Sequence, residues 1–188
     1  MSELSTFGEQ LRVLLSSVLG YGDPARQERN TRLIHQIFEW YNEGDLDSIV
    51  DSVTDDFVLF DVPAGEAYPG PDGLRRWFSI SKTALPDAKL FITNLIASGD
   101  KAATEHAGGG LQTGPLEVPG GSIPPTGRLV KAEVSETFEF RDGKIARWRV
   151  YYDGAALARQ LLGDGAGPAG DPAPTADAAG VGRGGATD

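Results

Sequence analysis

The sequence predicts an α+β domain, with N-terminal helices followed by a curved, mostly antiparallel sheet that wraps them into a cone with an apolar pocket. Three observations carry this. Apolar residues recur at helical spacing over about 24–43. From Ala88 onward the pattern changes to alternation, in segments long enough for strands. The stretch Arg141-Asp142-Gly143-Lys144 joins the last two segments as a hairpin, because Asp-Gly suits a type I′ turn.

Taken in order, residues 1–22 form a weakly amphipathic extension centred on "LRVLLSSVLG". It reads as a helix ending at Gly20 or Gly22, packed on the domain or on a second subunit. The main domain spans 23–163. Asp23-Pro24 is a helix start, with the aspartate as cap and proline in the first turn. Leu33, Ile34, Ile37, Phe38, Trp40 and Tyr41 then make one buried stripe, off which His35 falls. Gly44 ends the helix. A short helix, "DLDSIVDSV", is followed by a strand at about 57–63 and a helix at about 71–85. Strands are expected at 88–98, 101–108, 128–140 and 145–153, and "GAALARQLL" closes the domain as a helix. Gly108-Gly109-Gly110 follows a strand without opening a helix, so it marks a flexible or bulged strand end rather than a phosphate cradle. Residues 164–188 are mostly Gly, Ala, Pro and Asp with little to bury, and are expected to be disordered.

Composition narrows the function. The 188 residues suffice for one sizeable core. A net charge of −10 with no basic patch argues against nucleic acid or an anionic membrane as partner. The absence of cysteine removes disulfides, thiolate nucleophiles and cysteine-ligated metals. With only His35 and His106, a histidine-rich metal site or a serine–histidine triad has little support. No apolar run approaches the roughly 20 residues that span a bilayer. No signal peptide is read, and the default location is the cytoplasm.

Side-chain alternation selects the candidate residues. Val134, Glu136, Phe138 and Phe140 share one strand face, and the aromatics point it inward. In the partner strand, Trp148, Val150 and Tyr152 share a face opposite Arg147 and Arg149. Thr104 and His106 lie opposite Glu105, and Asp61 lies with Phe57 and Leu59. Asp61, His106, Glu136 and Tyr152 therefore converge on one pocket. Its walls are expected from Phe38, Trp40 or Tyr41, Leu59, Phe138, Trp148, Val150 and Tyr152. Carboxyls in an apolar cavity hold their protons more tightly, and repulsion separates them further. One then acts as base while the other, protonated, donates to an oxyanion. Plainer readings stand beside this one. Asp61 precedes a Pro-Ala-Gly turn and could simply bond its amides. Glu136 could sit at a solvated sheet edge, and His106 could be a structural histidine. Trp148 and Tyr152 could be core.

The stretches "EWYNEGDLDSIVDSVTDDFVLFDVP", "GGSIPPTGRLV", "FEFRDGKIARWRVYYD" and "ARQLLG" resemble the SnoaL-like polyketide cyclases. These belong to the nuclear transport factor 2-like superfamily, with ketosteroid isomerase and limonene epoxide hydrolase. The resemblance covers roughly 25–163. It implies the cone-shaped fold, an acid–base site that uses no cofactor and no metal, a small apolar or polyketide ligand, and a homodimer. Where the cyclases and epoxide hydrolases carry a last-strand aspartate, this chain has Val150. The cyclases' histidine falls near Glu136, and the epoxide hydrolases' arginine and aspartate fall at His106 and Gly108. The ketosteroid isomerase base matches Asp61 in "FDVPAG", and its protonated acid matches Glu136. Its helix tyrosine falls near Ile37, leaving Tyr41 or Tyr152 as donor. The resemblance thus implies enolisation or aldol-type ring closure of a carbonyl substrate. Epoxide opening and a non-catalytic binding module are the alternatives.

Overall fold

The computed structural model describes residues 23–163. The N-terminal extension, expected to be helical, and the tail, expected to be disordered, lie outside the described residues.

Helix α1 (Pro24–Glu43) begins and ends as its sequence directs. The Asp23 side chain accepts from the Ala25 amide at 3.0 Å, and Gly44 closes the helix at φ 85°. Ile34, Ile37, Phe38 and Tyr41 are buried, and His35 is exposed. Helix α2 (Leu46–Asp51) is capped by Asp45. Strand β1 (Val53–Asp61) starts ahead of the apolar run, because Val53 pairs with Ile145. A short edge strand β2 (Glu66–Pro69) follows, then helix α3 (Gly70–Ala84). Strands β3 (Lys89–Ser98) and β4 (Lys101–Leu111) precede a two-stranded flap, β5 (Leu116–Val118) and β6 (Gly121–Ile123). Strands β7 (Leu129–Arg141) and β8 (Lys144–Tyr152) and helix α4 (Gly154–Leu162) complete the chain. Asp142 and Gly143 both take positive φ, 54° and 78°, as a type I′ turn requires.

The main sheet has the order β2-β1-β8-β7-β4-β3. All its pairings are antiparallel except β1 with β8, which run parallel. Three rows of its inward side chains bear on the site. Leu59, Trp148, Phe138 and Ala102 make an apolar row. Asp61, Val150, Glu136 and Thr104 make a polar row one step along. Tyr152, Val134 and His106 make the next. Helix α1 follows the edge strand β3, where the Asn42 side chain bonds both the amide and the carbonyl of Leu90 at 2.8 Å. That pairing satisfies part of an otherwise open sheet edge.

The glycine run is regular strand, which corrects the expectation of a flexible or bulged end. Gly108, Gly109 and Gly110 pair with Ala132, Lys131 and Val130. Their small size admits close neighbours: a Cβ on Gly109 would stand 2.2 Å from the Val130 carbonyl oxygen. The flap is moored by Gln112, which is fully buried. Its amide nitrogen donates to the carbonyls of Gly114 and Pro124 at 2.9 and 3.1 Å, and its oxygen accepts from the Thr126 amide at 2.7 Å. No helix among the described residues is long and apolar enough to cross a membrane.

Candidate functional site

The polar row of the sheet supplies the site. Above it lies a cavity of about 160 Å³, walled chiefly by Tyr41, Trp77, Phe78, Leu90, Val130 and Val134. His106, Glu136, Val150 and Tyr152 also reach it. Tyr41 and Ser81 bond each other through their hydroxyls at 3.0 Å on its wall.

Glu136 is almost fully buried, which settles its inward orientation. Burial pushes its carboxyl up to about 8, against weaker opposing pulls from Trp148 and the Thr104 hydroxyl. Thr104 Oγ1 lies 3.4 Å from Oε2. His106 Nδ1 lies 3.7 Å from the same oxygen, too far for a hydrogen bond. Burial holds the imidazole down near 4. At neutral pH the acid is therefore largely protonated and the histidine neutral, and the pair is not an ion pair. His106 packs edge-on against Phe38, with ring centroids 4.9 Å apart. His106 Nδ1 and Trp148 Nε1 are buried without a hydrogen-bond partner among the described residues. The Trp148 indole thus influences Glu136 from nearby, not through a well-formed bond.

Asp61 combines both of its readings. Its Oδ1 accepts from the Ala64 amide at 3.2 Å, the turn bond. Its Oδ2 faces inward and accepts from Trp77 Nε1 at 3.0 Å and from the Tyr152 hydroxyl at 3.4 Å. Burial and the Asp61 charge hold the Tyr152 phenol above its ordinary range, so it stays protonated.

The structure corrects the expectation that Asp61 and Glu136 open into one pocket. Asp61 faces a second cavity of about 350 Å³, with Glu66, Tyr68, Arg76 and Glu117 around it. Trp77, Tyr152 and Leu157 line both cavities and form the partition. In the shared row the two carboxyl-bearing residues stand two strands apart, about 10 Å between backbones, with Val150 between them. The expected walls are corrected as well. Tyr41, Val150 and Tyr152 line the cavity, whereas Phe38, Leu59, Phe138 and Trp148 belong to the solid core beneath it. Leu59, Phe138 and Trp148 sit one row down the sheet, with Phe138 and Trp148 rings 4.8 Å apart.

Trp77, which lines both cavities and donates to Asp61, is the site-lining residue that sequence reasoning missed. The signal was present: Leu74, Trp77, Phe78 and Ser81 recur at i, i+3, i+4 and i+7 on α3. Among the described residues, no group of three His, Cys, Asp or Glu side chains stands close enough to hold a metal ion.

A mostly antiparallel, curved sheet wrapped on N-terminal helices, with acids on its inner face, defines the nuclear transport factor 2-like class. Within it, the chain belongs to the SnoaL-like polyketide cyclase family, whose profile matches residues 31–161. Among solved structures, one described as a SnoaL-like polyketide cyclase from Jannaschia sp. CCS1 is 19% identical. Its TM-score is 0.67, covering 74% of this chain and 94% of that one. IdmH from Streptomyces antibioticus, described as a polyketide cyclase, is 25% identical, with a TM-score of 0.58 over 70% of this chain and 97% of its own. SalBIII, an epoxide hydrolase/cyclase-like enzyme with a role in pyran ring formation in polyether salinomycin, is 22% identical. Its TM-score is 0.58, with 69% and 94% covered. The first and third likenesses speak for the fold alone. No curated protein matches the sequence significantly.

Proposed function

We propose that the protein is an acid–base enzyme that enolises a small, largely apolar, carbonyl-bearing substrate of polyketide type, leading to isomerisation or aldol ring closure. The observation that carries this reading is a carboxyl kept protonated by burial on the wall of an apolar cavity. Such an acid donates a hydrogen bond to a carbonyl oxygen and strengthens it as negative charge develops there. The reaction asks only for proton transfer, for which side chains suffice.

The base is Asp61, acting through Tyr152. The substrate's α-carbon proton passes to the Tyr152 oxygen as the phenol proton moves to Asp61 Oδ2. The electron pair of the broken C–H bond moves onto the carbonyl oxygen, held by the Glu136 proton. Tyr152 ends neutral and Asp61 ends protonated. Trp77 and the Ala64 amide fix the carboxylate for this exchange. A second reading, epoxide opening by water that Asp61 activates, is favoured by the wider cavity beside that carboxyl.

Exchange of the α-protons of 1-tetralone in deuterated buffer, followed by NMR, tests the proposal. The wild type should exceed the buffer rate. Asp61→Asn and Tyr152→Phe should each lose about 10²–10⁴-fold of that excess. Tetralone binding without any exchange would favour a binding module.

A further inference from the structure

We propose, resting on the reading that a substrate carbonyl meets Glu136, that the Tyr41–Ser81 hydroxyl pair binds a second oxygen of the same substrate. The cavity then selects cyclic ketones that carry a hydroxyl or carbonyl oxygen on the side away from Glu136.

Polar groups reach the cavity from both layers of the fold. The sheet supplies Glu136, His106 and Tyr152, from β7, β4 and β8. The helices supply Tyr41, from the last turn of α1, and Ser81, from α3. Among the described residues no hydrogen bond joins Tyr41 or Ser81 to the three sheet residues, so the hydroxyl pair is a separate polar point. Trp77 and Phe78 on the wall favour a ring as the body of the ligand.

The pair has a hydrogen to spare. Tyr41 and Ser81 bring two hydroxyl hydrogens and share one bond of 3.0 Å, so one hydrogen is left over whichever oxygen donates. Neither hydroxyl has another partner among the described residues. A serine inside a helix often spends its hydrogen on the carbonyl four residues back. Ser79 does so, donating to the Arg75 carbonyl at 2.8 Å. Ser81, on the same helix, bonds across to α1 instead and stands at the cavity wall. Burial holds the Tyr41 phenol above its ordinary range, so it enters as a neutral hydroxyl. The Lys82 ammonium lies 3.9 Å from the centre of the Tyr41 ring. A cation on the ring face draws electron density from the phenol and makes it the better donor of the two. The order is then Tyr41 to Ser81 to ligand, and each bond in such a chain polarises the next. A ligand oxygen that accepts from Ser81 completes it.

Calorimetric titration of the wild-type protein with 1-tetralone, and with the phenols that carry one hydroxyl at each free position of its aromatic ring, tests the inference. At least one of these phenols should bind about three- to tenfold more tightly than 1-tetralone, the worth of one neutral hydrogen bond. In the double variant Tyr41→Phe, Ser81→Ala that ratio should fall to about one, and taking the ratio cancels any loss that 1-tetralone shares. No preference in the wild type, or no binding of any of these ligands, overturns the inference. A preference that survives the double substitution overturns it as well. Deuterium exchange of the α-protons in the same complexes separates it from the reaction. Exchange without the preference counts against the hydroxyl pair alone. The preference without exchange upholds the pair and counts against enolisation.

Discussion

Asp61 and Glu136 stand in one cross-strand row of the sheet, two strands apart, with Val150 between them. The relationship makes Val150 the apolar spacer between two acids of different environment. Glu136 is sunk in the cavity wall, and Asp61 is held by three donors on the far side of a partition.

Val150→Asp should therefore be strongly destabilising. It would bury a third carboxyl between two others, and repulsion and desolvation both oppose its ionisation. Urea unfolding at neutral pH should show a loss on the order of 3 kcal/mol, shrinking as the pH is lowered and the new acid protonates. Val150→Thr should cost much less.

Glu136 should make stability depend on pH with a definite sign. Its folded value is about 8 and its ordinary value 4.5. Below the lower value both states hold the proton, and the contribution is fully present. As pH rises, the unfolded chain releases the proton first, so stability is lost up to about 8. His106 works in the opposite sense: held near 4 rather than 6.5, it costs stability as pH falls through that interval. Glu136→Gln should thus gain on the wild type between about pH 5 and 8, by on the order of 4 kcal/mol at the top. Thermal melts across that range measure it, and a constant gap would speak against a buried neutral acid.

Trp77→Phe preserves most of the ring packing against Phe78 and Trp148 while deleting the donor to Asp61. Leaving that buried acceptor short of a partner should cost about 1–3 kcal/mol in denaturant unfolding. Tyr152→Phe removes the longer, 3.4 Å bond and should cost less.

Gln112→Leu should release the flap rather than the sheet. The substitution keeps the bulk but abandons the carbonyls of Gly114 and Pro124 and the Thr126 amide. Hydrogen exchange over residues 113–127 should speed by an order of magnitude or more while strands β7 and β8 keep their protection.

Much of the fold was legible because local signals agreed. The Asp23-Pro24 start, the Gly44 stop and the Asp142-Gly143 turn each name a backbone conformation, and strand parity alone turned Asp61, Thr104, His106 and Glu136 inward. What stayed hidden depends on neighbours distant in sequence. Alternation says which face a side chain takes, not which row or which side of a partition. Hence Leu59, Phe138 and Trp148 read as walls although the helices fill the space above them. Strands β2, β5 and β6 are too short to show a period. The glycine run looked loose because the reason for its glycines, the closeness of Val130 and Leu90, lies on other strands.

The proposed chemistry requires a protonated Glu136 at neutral pH. A ¹³C NMR titration of the glutamate side-chain carboxyls, with Glu136→Gln identifying the resonance, measures this directly. The carboxyl of Glu136 should titrate near 8. A midpoint in the ordinary carboxylate range, near 4.5, would mean that the cavity holds an anion, and the proposed hydrogen-bond donor to the enolate would not exist.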